Sequence, residues 1–175
     1  MGRTETLEEA AKAVIATMWS LPELAGLAIG DLESIPLGRL RRNATRLHAV
    51  CRYRKGVNKA NNIGPTDVRC VDVHPEALTE DWARYASFLL FHEYLHALGN
   101  TNHNRRFRTL EALWPDAEAR AMGPAFGEHL RARAAKWLWT CPSCGIEHPR
   151  SRRSNGRYRC RKCRVVLVDT IRPNT

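Results

Sequence analysis

The strongest constraint on this chain is a His-Glu-x-x-His motif that begins at His92. His92 and His96 are four residues apart, so on a helix they share one face and can bind one metal ion. Glu93 is placed to act as a general base toward a metal-bound water. Gly99 is the expected end of this helix, because glycine adopts the left-handed conformation freely. The chain can then turn back and bring His103 to the metal as third ligand, which leaves a fourth tetrahedral position for water.

The bare motif also has an unremarkable interpretation. Five residues with three fixed positions occur by chance, in helices whose histidines are surface residues or are hydrogen-bonded. Gly99 and His103 follow at positions that favour a metal site. The spacing is not that of the metzincins, in which the third histidine follows the glycine by three residues, since that position here is Asn102.

A second motif consists of two Cys-x-x-Cys pairs separated by fifteen residues, and its cysteines are Cys141, Cys144, Cys160 and Cys163. This spacing is typical of a structural zinc site, with disulfides or unrelated thiols as alternatives. Asn155-Gly156 predicts a tight hairpin turn between the pairs, and 165–168 predicts a closing strand. We expect a zinc ribbon that is closed and not catalytic.

The residues after the first motif resemble a known family. The segment His103-Asn104-Arg105-Arg106-Phe107 is similar to the His-Gly-x-x-Phe segment of SprT-like metalloproteases, the family that includes Spartan, with Asn104 in place of glycine. Asparagine also visits left-handed conformations, so the change is tolerable. Trp114-Pro115-Asp116 resembles the end of this region in the related minigluzincin-like proteins. Some SprT-like proteins also have a ribbon directly after the protease core.

The resemblance implies a small zincin-like core in which helices pack on a short β-sheet. It implies His92, His96 and His103 as ligands of a catalytic zinc, and Glu93 as the catalytic base. It also implies that His103 opens a new helix, which Phe107 packs onto the active-site helix. One strand of the sheet would line the cleft and pair with an extended substrate.

The hydrophobic pattern agrees with an α+β protein. A capping box at Thr6 and Glu9 predicts a helix that extends to about Trp19. The remaining predicted elements are helices at 36–42, 79–98, 107–114 and 124–139, and strands at 47–53 and 68–73. Cys51 and Cys70 fall in the two strands, as buried free thiols or as a cross-strand redox pair.

Charge divides the chain. Residues 1–130 contain 16 basic and 16 acidic residues, whereas residues 131–175 contain 12 basic and 2 acidic ones. We therefore predict two domains, a metalloprotease core at 1–136 and a basic ribbon at 137–175. The ribbon residues that we expect to bind nucleic acid are Arg150, Arg152, Arg153, Arg157, Tyr158, Arg159, Arg161, Lys162 and Arg164. A solubilising surface is the alternative, but an excess of one sign with an aromatic ring among it fits nucleic acid better.

Together the motifs predict a zinc metallopeptidase with one catalytic and one structural zinc. The resemblance implies cleavage of proteins bound or crosslinked to DNA, with DNA, including single strands, as a partner. Two other functions stay open: a DNA-binding zinc protein with a vestigial protease core, and a zinc hydrolase of another substrate with an RNA-binding ribbon. No apolar run approaches the length of a membrane span, so we expect no membrane partner. We expect a cytoplasmic, nucleoid-associated monomer, and the short tail after the ribbon favours a prokaryotic origin.

Overall fold

The N-terminal helix forms as predicted in the computed structural model, which describes residues 6–58 and 62–172. The Thr6 hydroxyl accepts a hydrogen bond from the Glu9 backbone N–H over 3.1 Å, and the Glu9 carboxylate accepts one from the Thr6 N–H over 2.8 Å. This capping box satisfies donors that the first helical turn cannot pair internally. Helix α1 (Leu7–Trp19) then buries one apolar face.

The chain divides into two compact units between Pro124 and Ala125. The expected domain boundary after residue 136 stays a prediction. None of the helices in the described ranges has the length and apolar character that crossing a bilayer requires. After α1 the elements, with 3₁₀ helices omitted, are β1 (Leu37–Arg39), β2 (Ala49–Tyr53), β3 (Val68–Val73), α2 (Ala83–Ala97), α3 (Arg105–Glu111), α4 (Ala117–Ala121), α5 (Gly123–Arg133), β4 (Trp137–Thr140), β5 (Glu147–Arg150) and β6 (Val168–Ile171).

The first unit contains a three-stranded sheet in the order β1-β3-β2, with β1 parallel and β2 antiparallel to β3. The predicted helix at 36–42 is wrong, because this segment contributes β1. Its pairing with β3 is extended on both sides by hydrogen bonds, from Val71 N–H to Pro36 O over 2.9 Å and from Leu40 N–H to Val73 O over 3.0 Å. A strand this short owes its conformation to its neighbour rather than to local preference.

The cysteines of the two predicted strands lie on opposite faces of the sheet. Cys51 is directly opposite Val71, and Cys70 is opposite Arg52. Side chains alternate between faces along a strand, so neighbours in register share a face and Cys51 and Cys70 do not. Both are free thiols, with Cys51 buried, and the cross-strand redox pair is therefore excluded.

Helix α2 is the central helix of the first unit, and most of its residues are buried. The helix predicted from Thr79 begins instead as a 3₁₀ turn at Glu80–Trp82, and the α-helix follows from Ala83. Gly99 ends it as expected, with a φ of +93°. Helix α2 packs against α1, α3 and both β2 and β3, so the turn that carries its histidines is held on several sides.

The helices after α2 are shorter than predicted. The segment at 107–114 is helical only to Glu111, and the predicted helix at 124–139 ends at Arg133. Trp137 and Trp139 belong to β4 instead, which pairs antiparallel with β5 and β6. Tertiary pairing overrides the helical pattern in this segment.

The second unit contains the sheet β5-β4-β6 and a small core formed by Trp139, Cys141, Cys160 and Leu167. The predicted tight turn is confirmed, since Asn155 and Gly156 have φ values of 49° and 71° and the turn closes with a bond from Arg157 N–H to Ser154 O. The closing strand is β6, three residues later than predicted. Residue 166 makes only an isolated bridge to Arg159.

Candidate metal centres

The three predicted histidines lie together and are called the histidine cluster below (His92, His96 and His103). Helix α2 supplies the first two from one face, and the turn after Gly99 brings back the third. Their Nε2 atoms are separated by 3.2 Å (His92 to His96), 3.1 Å (His96 to His103) and 3.0 Å (His92 to His103). Nitrogen ligands about 2.0–2.1 Å from a tetrahedral zinc have separations close to these.

The hydrogen bonds of the other ring nitrogens fix how the cluster can act. His92 Nδ1 lies 2.6 Å from Glu111 Oε1, and His96 Nδ1 lies 2.7 Å from Asn100 O. Both partners are acceptors, so each Nδ1 carries the proton and each Nε2 presents a lone pair. Lone pairs about 3 Å apart repel one another unless a cation lies among them. The donor set therefore fits a zinc ion.

Glu111 is a residue of this site that the sequence did not lead us to predict. It is 5% exposed and accepts hydrogen bonds from His92 and, over 2.9 Å, from Arg108. Burial acts to raise the pKa of Glu111, but the hydrogen bonds from Arg108 and His92 outweigh it and the pKa is lowered. A signal was present, because Glu111 follows Phe107 by four residues and so shares its helix face.

Burial lowers the pKa of His92, although Glu111 acts in the opposite direction. A lowered pKa keeps the imidazole neutral, which is the form that binds metal. Phe107 closes the inner side of the cluster: it is fully buried, and its ring centroid lies 4.8 Å from that of His92, 4.6 Å from that of His96 and 4.8 Å from that of His103. The expected packing of Phe107 on α2 is confirmed.

The turn that ends α2 also orients His96. Gly99 N–H donates to His96 O over 3.0 Å and Asn100 N–H donates to Leu95 O over 3.2 Å, which is a Schellman motif. The same turn carries Asn100 O to His96 Nδ1. A Cβ at position 99 would lie 2.7 Å from Ile63 O, so both the positive φ and the close approach require glycine.

Asn104 acts differently from the expectation. Its φ is −78°, so it is not left-handed, and its side-chain oxygen accepts a hydrogen bond from Phe107 N–H over 3.0 Å. Asn104 is thus the N-cap of α3. Helix capping therefore accounts for asparagine at position 104. His103 lies just before the helix rather than in it.

Glu93 follows His92 directly, lines the same cleft and is 6% exposed. Its Oε2 accepts a hydrogen bond of 2.7 Å from the backbone N–H of Cys51 in β2. Burial raises the pKa of Glu93 to about 7, and the Cys51 N–H opposes this shift. Tyr53 also links β2 to α2, because its hydroxyl donates to His96 O over 2.9 Å. The strand thereby fixes both the Glu93 carboxylate and the turn that carries His96.

A cleft of about 650 Å³ opens beside these residues. His92 and Glu93 line it from α2, and Ala49 lines it from β2. Because His74 N–H donates to His48 O, the alternation of an antiparallel ladder directs the backbone groups of Ala49 away from β3. The sheet edge at Ala49 therefore faces the cleft.

The four cysteines form the second centre, here called the cysteine cluster. Their sulfur atoms all lie within 4.8 Å of one another, and Cys144 and Cys160 are 3.7 Å apart. Zinc–sulfur bonds of about 2.3 Å give tetrahedral sulfur separations near this distance. The cluster fits a structural zinc.

The two halves of the cysteine cluster repeat one backbone pattern. Gly145 N–H donates to Cys141 O, and Arg164 N–H donates to Cys160 O, each over 2.9 Å. Both donors are left-handed, Gly145 with a φ of 71° and Arg164 with a φ of 61°. Arg164 thus occupies a position at which glycine is favoured.

All nine predicted nucleic-acid contacts are exposed on the second unit. Some of them lie over aromatic rings. The Arg153 guanidinium is 4.1 Å from the centroid of the Trp137 ring, and the Arg150 guanidinium is 5.1 Å from the centroid of the Trp139 ring. Tyr158 stacks on Trp139 with centroids 4.4 Å apart and is 43% exposed. Trp139 is nearly buried, so it forms the floor of this stack.

Residues 135–170 match the family model of the SprT-like zinc ribbon domain. The matched segment contains all four cysteines and supports membership in the SprT-like family, which is generally associated with metallopeptidases. No curated protein and no solved structure matches the chain. The predicted ribbon is thereby confirmed, and the roles of the histidine cluster and Glu93 stay predictions.

Proposed function

We propose that this protein is a zinc metallopeptidase that cleaves proteins bound or crosslinked to DNA. One observation carries the proposal: three Nε2 atoms converge, and the buried carboxylate of Glu93 lines the same open cleft as His92. The SprT-like ribbon and its excess of basic residues support the part of the proposal that places the protein substrates on DNA.

The histidine cluster would hold the catalytic zinc, which when bound supplies Lewis-acid chemistry at the scissile carbonyl and the attacking water. Glu93 accepts the proton of that water and later delivers it to the leaving amine. Its hydrogen bond from Cys51 N–H restrains one carboxylate oxygen, so Oε1 is the atom that exchanges the proton. Glu111 and Asn100 keep His92 and His96 in the tautomer that offers Nε2.

An extended substrate would pair with the edge of the first sheet. Strand β2 is an edge strand in the order β1-β3-β2, and the outward backbone groups of Ala49 face the cleft. Pairing with these groups aligns a peptide by its main chain, whatever its side chains. This suits an enzyme whose protein substrates are varied.

The second unit would bind the DNA. Its exposed arginines match the phosphate backbone, and the two that lie over tryptophan rings have less side-chain freedom to lose. The outer face of Tyr158 can stack on an unpaired base, with Trp139 behind it. Single-stranded DNA, in which bases are free to stack, is therefore the favoured form.

Cleavage of a DNA-binding protein tests the proposal directly. The zinc-loaded protein is incubated with such a substrate, with and without single-stranded DNA, and fragments are followed by gel electrophoresis. We expect fragments that appear faster with DNA and none with Glu93→Gln, whose zinc content should equal that of the parent. Binding of DNA with no cleavage under any condition would favour the vestigial-core alternative.

The DNA half has its own test in the salt dependence of binding. Replacing Arg152, Arg153, Arg157 and Arg159 by alanine should weaken binding and flatten the slope of log K against log salt, by about 0.7 per lost contact on single strands. The matched control replaces Arg39, Arg41, Arg42 and Arg69, four exposed arginines of the first unit. Equal losses in both variants would mean that net charge alone governs binding.

A further inference from the structure

We propose that the cleft beside the histidine cluster binds an acidic side chain of the protein substrate, glutamate in preference to aspartate, through Arg46 and Arg120. This inference rests on the proposed peptidase function and adds a side-chain preference to it. It follows from the distribution of charge around the cleft.

Three arginines line the cleft, and only one of them is neutralised. Arg108 donates to Glu111, which also accepts from His92. Arg46 and Arg120 are exposed and form no ion pair within residues 6–58 and 62–172. The cleft therefore presents two uncompensated positive charges in the same lining as His92 and Glu93.

The other carboxylate of the cleft cannot neutralise these arginines. Glu93 is buried and is hydrogen-bonded to the Cys51 N–H, on the side of the cleft that carries the histidine cluster. Arg46 precedes β2 and Arg120 lies in α4, so the two arginines reach the cleft from different elements. In the proposed site, a substrate carboxylate in the cleft pairs with both.

The backbone at Arg120 is held in place by the contacts of its helix. Helix α4 is fixed to α2 by a bidentate ion pair, in which Arg84 Nε and Nη2 each lie 2.7 Å from an Asp116 carboxylate oxygen. Asp116 is also the N-cap of α4, since its Oδ1 accepts from Ala119 N–H. Two-point pairing of this kind gives geometric specificity as well as energy.

Apolar residues of the cleft fit the stem of a glutamate. Ala49, Phe88 and Leu89 line it together with His48 and Tyr85, which are hydrogen-bonded to each other over 2.8 Å. A glutamate can lay its methylene groups on the apolar part and extend its carboxylate to the arginines. Aspartate is one methylene shorter, so it reaches less far.

A peptide suits this site better than nucleic acid does. The cleft is concave, has an apolar lining and adjoins the backbone edge at Ala49, which can pair with a main chain. Its volume of about 650 Å³ is that of a typical small-ligand pocket rather than of a surface for a duplex. The arginines of the ribbon, by contrast, do not line this cleft.

Binding to the inactive, zinc-loaded Glu93→Gln variant tests the proposal without relying on turnover. The probes are fluorescent peptides of identical sequence that carry one glutamate, aspartate or glutamine. We expect glutamate to bind about fivefold to tenfold more tightly than glutamine, as two partly exposed ion pairs allow. Adding Arg46→Gln and Arg120→Gln should reduce this ratio to less than about twofold.

The matched control carries Arg41→Gln and Arg42→Gln, which remove the same charge from exposed sites outside the cleft. It should keep the preference for glutamate. Equal binding of glutamate and glutamine peptides, or a preference that survives loss of Arg46 and Arg120, would overturn the proposal. The proposal would also be overturned if the variant with Arg46→Gln and Arg120→Gln lost DNA affinity but kept the preference for glutamate. The two arginines would then bind nucleic acid instead.

The two proposals fail in different ways. Cleavage by the parent protein without any charge preference would refute the acidic subsite and leave the peptidase. Preferential binding of glutamate peptides, with no peptide or protein cleaved, would refute the peptidase and leave the subsite.

Discussion

His92 Nδ1 donates to Glu111 Oε1 over 2.6 Å, which joins the first residue of the His-Glu-x-x-His motif to a carboxylate on the next helix. Glu111 is buried, and Arg108 binds its second oxygen. The ring of His92 is thus oriented by Glu111 before any metal binds.

Glu111→Gln should lower the zinc affinity of the histidine cluster by about tenfold to a hundredfold, because outer hydrogen bonds orient metal ligands and raise their basicity. Competition with a chromogenic chelator measures this. Glu33→Gln, at an exposed position of the same unit, is the control. An unchanged affinity would show that Glu111 is only part of the packing.

The purified protein should contain two zinc ions per chain, one for each cluster. His96→Ala and Cys160→Ser should each remove one, as elemental analysis would show. Chelation should unfold the second unit, whose core without metal is very small, while the first unit keeps its helices. Trp137 and Trp139 make tryptophan fluorescence a suitable probe. A second unit that stays folded without metal would contradict this prediction.

Gly99→Ala should lower the free energy of unfolding by about 2–4 kcal/mol, because it combines a left-handed backbone with a clash against Ile63 O. Gly56→Ala is the control, since Gly56 has a φ of +86° but no atom near its would-be Cβ. It should cost about 1 kcal/mol. Chemical denaturation of both variants separates the clash with Ile63 O from the effect of the positive φ. Equal losses in the free energy of unfolding would argue against a close approach at Gly99.

Arg164→Gly should stabilise the second unit by about 0.5–1 kcal/mol, because glycine removes the strain of a left-handed arginine. If Arg164 contacts phosphate, the same variant should bind DNA more weakly. Arg161→Gly, at a position without a positive φ, should not stabilise. Thermal unfolding with zinc bound distinguishes the two, and a destabilised Arg164→Gly would mean that other contacts outweigh the strain.

The site could be predicted where its residues are close in sequence. The spacing of His92, His96 and Gly99 follows from helix geometry, and the cysteine pairs follow from the turn that each half needs. Cys51 N–H could not be predicted as the partner of Glu93, because 42 residues separate them and the bond depends on the sheet position.

The fold shows the same limit. The capping box of α1 is local and was predicted correctly, whereas β1 is a three-residue strand that exists through its pairing with β3. Trp137 and Trp139 continued a helical pattern, yet β5 and β6 draw them into a sheet. Where distant pairing decides, periodicity alone misleads.

The open edge of β2 has a consequence for association between copies of the protein. An edge strand that can accept a guest peptide can also pair with the same strand of a second molecule, which is how aggregation begins. Antiparallel pairing of two β2 strands about Val50 would bring Arg46 of one molecule opposite Arg54 of the other, and both arginines are exposed. Like charges opposite one another disfavour such pairing. The arginines that flank the strand, and the Cys51 N–H that already donates to Glu93, thus disfavour pairing between two copies. A substrate chain that carries carboxylates would meet no such repulsion.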